Sequence, residues 1–313
     1  MAPVVLKSVP EFIARVTEDT VTSRDHLHSN LSSATLYRGQ ANSSWRLYPS
    51  LYRVDLFNQE RTLILELLRI RPEEFDGLTK FDILVKMQHY GLPTRLLDMT
   101  HNPLVALYFA CDSVVSGKED GSVYAFRGMP VLWQDNYAVR LLMTYIFEFA
   151  GPRLDLERFL YAVLKDPLLS TVWNDETKLR DVAVHYLTKV PVTAVRPSLA
   201  NLRIAQQDGA FLIFGMSVKQ ELVSTNPGTK GRVYLELAPY PSDETGERLW
   251  HQVTEYRIPA DRKLGIRRAL EALGIRRSRL FPELQYQAEF VRELVAMEAE
   301  SQGKAFQDDD LRD

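Results

Sequence analysis

From Pro103 to Cys111 the chain is apolar at nearly every position, and no polar residue recurs there at helical spacing. Asn102 followed by Pro103 opens that run as a helix opens, with a side-chain cap and then proline at the first helical position. A helix with no polar face belongs inside the protein, so the pattern predicts a buried helix from Pro103 to about Ser113. The stretch before it, from Gln88, mixes hydrogen-bonding side chains with Gly91 and Pro93 and reads as a polar loop. Elsewhere the spacing of apolar residues predicts helices over Val9–Val21, from Asn58 to just before Pro72, over Phe81–Met87, Tyr137–Phe149, Leu154–Leu164 and Lys178–Lys189, then from Asp261 as cap to Leu273 with Gly274 as the stop, and over Gln285–Met297. Short β-branched and aromatic runs predict strands at 34–40, 121–126, 233–237 and 252–258, and another ending at Phe214. Asn226–Gly231 reads as a hairpin turn.

Strands thus flank a helical stretch. The order predicts an α+β protein with a central, mostly antiparallel sheet, a buried helix, a helical insertion over 129–199, an N-terminal helical segment over 1–33 and an acidic tail over 298–313.

Composition changes this picture little. With 313 residues, 45% hydrophobic and 25% charged, the chain is long enough for a large core and ordinary for a globular protein. A formal net charge of −3 gives no global attraction to nucleic acid or to an anionic membrane. No apolar run approaches the roughly 20 residues needed to cross a bilayer, and the first residues lack the basic start and apolar stretch of a signal peptide. The single cysteine, Cys111, falls in the buried helix, which excludes an internal disulfide and makes the cytoplasm the expected compartment. His26 and His28 stand one residue apart without further ligands at metal-binding spacing, so no metal site is expected.

The candidate chemistry gathers where the polar stretch meets the buried helix. Unpaired N–H groups at a helix start carry the positive end of its dipole, and here they point back towards Thr94, Arg95, Asp98 and Thr100, an arrangement suited to phosphate. A structural reading stands beside this one. Arg38, Arg95 and Asp98 could form a buried ion-pair network, with Gln88, His89 and Gln207 satisfying backbone groups near Gly91 and Pro93. The basic residues between Arg262 and Arg279 offer a third possibility, contact with nucleic acid.

Leu36-Tyr37-Arg38-Gly39-Gln40, the segment Gln88 to Asp98 (Gln-His-Tyr-Gly-Leu-Pro-Thr-Arg-Leu-Leu-Asp), Asn102 to Ala110, Gln207-Asp208-Gly209-Ala210-Phe211 and Leu280-Phe281-Pro282-Glu283-Leu284 together resemble the FRG domain, a family named for a Phe-Arg-Gly strand end. The resemblance covers a domain over 34–290 with its core from 34–128 and 200–290; Met99 stands where the family commonly has an aromatic, and Asp208 separates Gln207 from Gly209. It implies a bacterial or phage setting concerned with toxicity or defence. The order of elements is in turn similar to the ADP-ribosyltransferase plan, which implies a split sheet and NAD as substrate, with Arg38, Asp98 and Gln207 in catalytic places and Arg38, Gln88, His89, Tyr90, Arg95 and Thr100 around the dinucleotide. Under that plan Arg38 or Arg95 would hold the pyrophosphate bidentately, and Tyr90 or Tyr108 would stack on a ring. The implied partner is a nucleotide, with a protein or nucleic-acid acceptor. A module that binds a nucleotide or a partner protein without chemistry is the alternative.

Overall fold

The computed structural model describes residues 3–22, 33–112, 118–172, 175–239 and 253–288, together with 290–292 and 295. The histidines at 26 and 28, the polar loop from 240 and the acidic tail lie outside these residues, as does the far end of the last expected helix.

The chain begins with β1 (Val4–Val5), α1 (Val9–Thr22) and β2 (Ser33–Gln40). Three helices follow, the one-turn α2 (Ser50–Arg53), α3 (Glu60–Ile70) and α4 (Lys80–His89), whose first turn is capped by the Thr79 hydroxyl accepting from the Asp82 N–H. The next element corrects the expected polar loop: Leu96–Thr100 is a strand, β3, and all its residues but Asp98 are buried. A strand covered on both faces loses the alternation that marks a half-buried one, and its sequence gives no period to read. The expected buried helix is α5 (Pro103–Ala110), capped by Asn102.

β4 (Gly121–Trp133) runs well beyond its predicted end. The helical stretch then supplies α6 (Tyr137–Glu148), the short β5 (Arg153–Asp155), α7 (Leu156–Leu164), α8 (Pro167–Val172) and α9 (Glu176–Thr188). Within the same stretch lies β6 (Val192–Arg196). After it come α10 (Leu202–Gln207), β7 (Gly209–Phe214), β8 (Met216–Val223), β9 (Val233–Pro239) and β10 (Val253–Ile258), with the Asn226–Gly231 turn joining β8 to β9 as the sequence predicts. The chain then forms α11 (Lys263–Ala272), which starts without the expected Asp261 side-chain cap and stops at Gly274 (φ +84°), and α12 (Arg277–Leu280).

Among the described residues the strands make two sheets. The larger has the order β1-β10-β4-β2-β3-β7-β6 and the smaller β5-β9-β8. In the larger sheet β1–β10 and β4–β6 pair in parallel and every other pairing is antiparallel, so the expected α+β class with a mostly antiparallel sheet holds. The β4–β6 pairing, Val131 opposite Ala194 to Trp133 opposite Arg196, closes β4-β2-β3-β7-β6 into a five-stranded barrel. Closure depends on the unexpected length of β4 and on β6, a strand inside the helical insertion.

Alternation along the barrel strands sorts the core. Leu36, Leu97, Met99, Phe126, Val131, Ala194, Leu212 and Phe214 form one buried cluster contributed almost wholly by the barrel strands, its filled interior. Their neighbours face outward into two helical layers. Tyr37, Val123 and Ala125 pack with α1, α5 and α11; Leu96, Val195, Phe211 and Ile213 pack with α3, α4, α6 and α7. α5 lies so close to the sheet that a β-carbon on Gly39 or on Gly121 would overlap the carbonyl oxygen of Ala106 or Ala110, respectively. The glycine after Arg38 is therefore a packing requirement of the buried helix.

Candidate functional site

β2, β3, α5 and α10 meet around a cleft of about 150 Å³. Arg38 comes from β2, Asp98 and Thr100 from β3, Phe109 from α5, and Arg203 and Gln207 from α10. Four of the residues singled out in the sequence, Arg38, Asp98, Thr100 and Gln207, thus share one opening although 169 positions separate the first from the last. Arg203 joins them, one helical turn before Gln207, because Asn201 caps α10 by accepting from the N–H groups of Arg203 (2.9 Å) and Ile204 (3.4 Å). Gln207 therefore ends a helix and does not open a strand. Asp208 then takes a left-handed conformation (φ +48°), which Asp tolerates better than most residues, and starts the chain into β7.

Arg38 is half-buried. Its Nη1 donates to the backbone carbonyl of Asp98 at 2.7 Å, while its buried Nε has no hydrogen-bond partner. It forms no salt bridge with any described carboxylate. Burial pulls its pKa down to about 10; Asp98 opposes that shift and Arg53 adds to it. A desolvated cation with a free donor and no bound carboxylate suits an anionic ligand. Arg203 is already held, 3.5 Å from Glu283 and stacked over Phe281 with 4.7 Å to the ring centre.

The Asp98 carboxylate is exposed, and its Oδ1 accepts from the Gln88 amide at 2.7 Å. Gln88 in turn accepts from the Thr94 hydroxyl, so a short relay from the end of α4 orients Asp98. Other groups are committed within the protein. Thr100 donates to the carbonyl of Gln207 at 2.6 Å and accepts from the Asn102 N–H at 3.0 Å, and the Gln207 amide donates to the Leu280 carbonyl at 2.9 Å. His89 faces Asn201 at 3.3 Å, and burial followed by the charge of Arg203 lowers its pKa.

Three expectations are corrected. Arg95 is fully buried and pairs with Glu60 of α3; its Nε lies 2.8 and 3.0 Å from the two carboxylate oxygens. Burial alone would discharge this guanidinium, but Glu60 reverses the effect and raises its pKa. Arg95 also faces the Tyr145 ring at 5.3 Å and is a core residue out of reach of a ligand. The start of α5 offers no open anion site either, because Asn102 Oδ1 accepts from the N–H groups of Leu104 (2.9 Å) and Val105 (3.4 Å), and its carbonyl accepts from Ala106. Of the two candidate stacking rings, Tyr90 is 78% exposed and does not line the cleft, and Tyr108 is buried beneath Arg267, whose guanidinium sits 3.5 Å from the ring centre.

The basic stretch 262–279 is also partly used inside the protein. Lys263 is buried and donates to the Ala41 carbonyl at 2.5 Å, Arg267 covers Tyr108, and Arg277 lies over Tyr286 at 5.4 Å. Cys111 is fully buried, and burial raises its thiol to about 12, which removes it as a nucleophile. No described helix is long and apolar enough to cross a membrane.

Compared with known families, residues 33–119 match the model of the FRG domain. That match takes in β2, α4, β3 and α5, and with them Arg38, Gln88, Asp98 and Thr100; Arg203 and Gln207 lie beyond it. Comparison with curated proteins and with solved structures finds no match.

Proposed function

We propose that this protein binds an NAD-type nucleotide in the cleft beside Arg38 and breaks its nicotinamide–ribose bond, releasing ADP-ribose or transferring it to an acceptor. The observation that carries the proposal is Arg38: half-buried, with a buried Nε lacking a partner, beside a small opening that also holds an exposed carboxylate and a second guanidinium. An opening of about 150 Å³ admits one ring or one phosphate, since an apolar cavity of about that size accommodates benzene. The rest of a dinucleotide would lie along the mouth.

The chemistry follows from the charges. Nicotinamide departs with the electron pair of the glycosidic bond, leaving an oxocarbenium-like ribose whose positive charge Asp98 can stabilise from the position Gln88 gives it. Water or an acceptor nucleophile then adds to that carbon and loses its proton. Arg38 holds the phosphate throughout, by hydrogen bonds that a lysine could not make in the same bidentate geometry. The order of residues, Arg on an early strand and Gln beside a late one, carries the likeness to ADP-ribosyltransferases; the split sheet of that plan is not part of this argument, because the present sheet closes as a barrel.

A second reading, a nucleotide sensor without chemistry, draws on the commitments of Thr100 and Gln207, whose hydroxyl and amide nitrogen are already hydrogen-bonded within the protein. Release of free nicotinamide from NAD by the purified protein separates the two. Turnover that falls about 100-fold in Arg38→Met supports the enzyme. NAD that raises the melting temperature in an Arg38-dependent way and is never consumed supports the sensor. If NAD neither binds nor reacts, both fall.

A further inference from the structure

A second concentration of arginine lies away from the cleft and shares no residue with it. α3, the end of α6, β5, α7 and β9 enclose an open groove of about 860 Å³, and Arg61, Arg153, Arg158 and Arg232 all line it. Its volume is within the range usual for ligand sites, and polar atoms dominate its surface.

The lining carboxylates are already occupied. Glu148 pairs with Lys80 at 2.8 Å. Asp155 caps α7 by accepting from the Arg158 N–H at 3.1 Å and meets Arg232 at 3.4 Å, and Glu157 at the rim also faces Arg232, at 3.6 Å. The three remaining guanidinium groups have no carboxylate among the described residues. Arg61 uses only its Nε, donating to the Phe147 carbonyl at 3.2 Å. The Arg153 guanidinium sits over the Tyr234 ring, 4.4 Å from its centre, and Arg158 is exposed to solvent. Glu236, opposite Arg153 in the β5–β9 register, makes no ion pair with it. In a chain with a formal net charge of −3, gathering uncompensated guanidinium groups around one concavity needs a cause other than stability, because like charges repel.

We propose that this groove binds a ligand carrying a chain of phosphate groups, such as an inorganic triphosphate or the triphosphate of a nucleotide. Arg61, Arg153 and Arg158 face the phosphates. Arg232 is positioned by Asp155 and Glu157 as a fourth contact, and the Tyr234 ring beside Arg153 forms a wall on which a base can rest. A nucleotide uses that wall and an inorganic chain does not, which distinguishes the two sources.

Titration calorimetry with sodium triphosphate and with ATP tests the proposal on the full-length protein. The expected result is binding of both at low salt, lowered at least about tenfold in R153Q and again in R158Q, and unchanged in R180Q, whose exposed arginine lies outside the groove. Both groove arginines are exposed, so these variants fold, and an unchanged melting temperature checks that they do. ATP binding more tightly than triphosphate identifies the nucleotide as the source; equal affinity identifies the inorganic chain. Absence of binding by either probe overturns the proposal, and so does binding that R180Q abolishes or that R153Q and R158Q leave intact. Much tighter, length-dependent binding of single-stranded oligonucleotides also overturns it, in favour of a nucleic-acid surface.

Discussion

Arg38 and Arg95 belong to the same barrel, one on β2 and one immediately before β3, yet their surroundings differ in one decisive respect. Arg95 is fully buried and meets a buried carboxylate, Glu60, through a forked hydrogen bond. Arg38 is half-buried, holds only a backbone carbonyl and leaves its Nε without a partner. Desolvation acts on both; a carboxylate compensates only Arg95, whose pKa rises while that of Arg38 falls. The first arrangement is a structural pin and the second is poised for an anion. Two arginines that look equivalent along the chain thus differ in whether a carboxylate meets them.

The sharpest way to break this comparison is to remove one half of the buried pair. Glu60→Ala leaves Arg95 charged and buried, and the expected loss is about 3–5 kcal/mol in urea unfolding. Replacing both residues by apolar ones of similar size should return most of it, since a well-packed substitute for a buried ion pair is often neutral. A loss below 1 kcal/mol for Glu60→Ala would mean that the pair contributes nothing structural.

Gly39→Ala comes next. The added methyl group would overlap the Ala106 carbonyl, backbone that cannot rotate away, so α5 or β2 must shift. The expected destabilisation is about 1–3 kcal/mol, with disturbed anion binding because the neighbouring Arg38 moves with the strand. Wild-type stability in this variant would show that the helix does not fix the strand.

Arg38→Met should give the opposite balance. With no carboxylate partner to orphan, its removal is expected to change stability by less than about 1 kcal/mol while abolishing any thermal shift produced by NAD. A large loss of stability would place Arg38 with Arg95 as a structural residue.

The smallest effect concerns pH. His89 and His101 both lie below their ordinary value of 6.5, burial being the first cause in each, and His101 Nε2 is buried without a partner. The unfolded chain therefore takes up protons near pH 6.5 while the folded chain resists them, and stability declines as pH falls below that value. Urea unfolding at pH 7.5, 6 and 5 should show this decline, and His101→Gln should flatten part of it. An identical slope in the variant would contradict the assignment.

How far the sequence could be read follows from the same physics. The buried helix, its Asn102 cap and the Arg38 strand were legible because a cap, a proline and a continuous apolar run are local signals. β3 was not legible, because burial on both faces erases alternation, and neither was the barrel, because its closure joins β4 to a five-residue strand some 60 positions later. Arg38, Asp98, Thr100 and Gln207 line one cleft, while Arg95 lies in the core, with its partner Glu60 far away in sequence. A signal for it existed. Glu60 sits four residues before Ile64 on the buried stripe of α3, and a carboxylate on an apolar stripe calls for a buried cation. Arg203 could have been found similarly, from the Asn201 cap that makes Leu202–Gln207 a helix and sets Arg203 one turn from Gln207.

The proposed role of Arg38 is to hold the anionic part of a nucleotide. Titration calorimetry of ADP-ribose against the wild-type protein and Arg38→Met tests it most directly. Measurable binding to the wild type is expected, with at least about a tenfold loss in a variant that unfolds at the wild-type urea concentration. Equal affinity in the two proteins, or no binding to either, would contradict it.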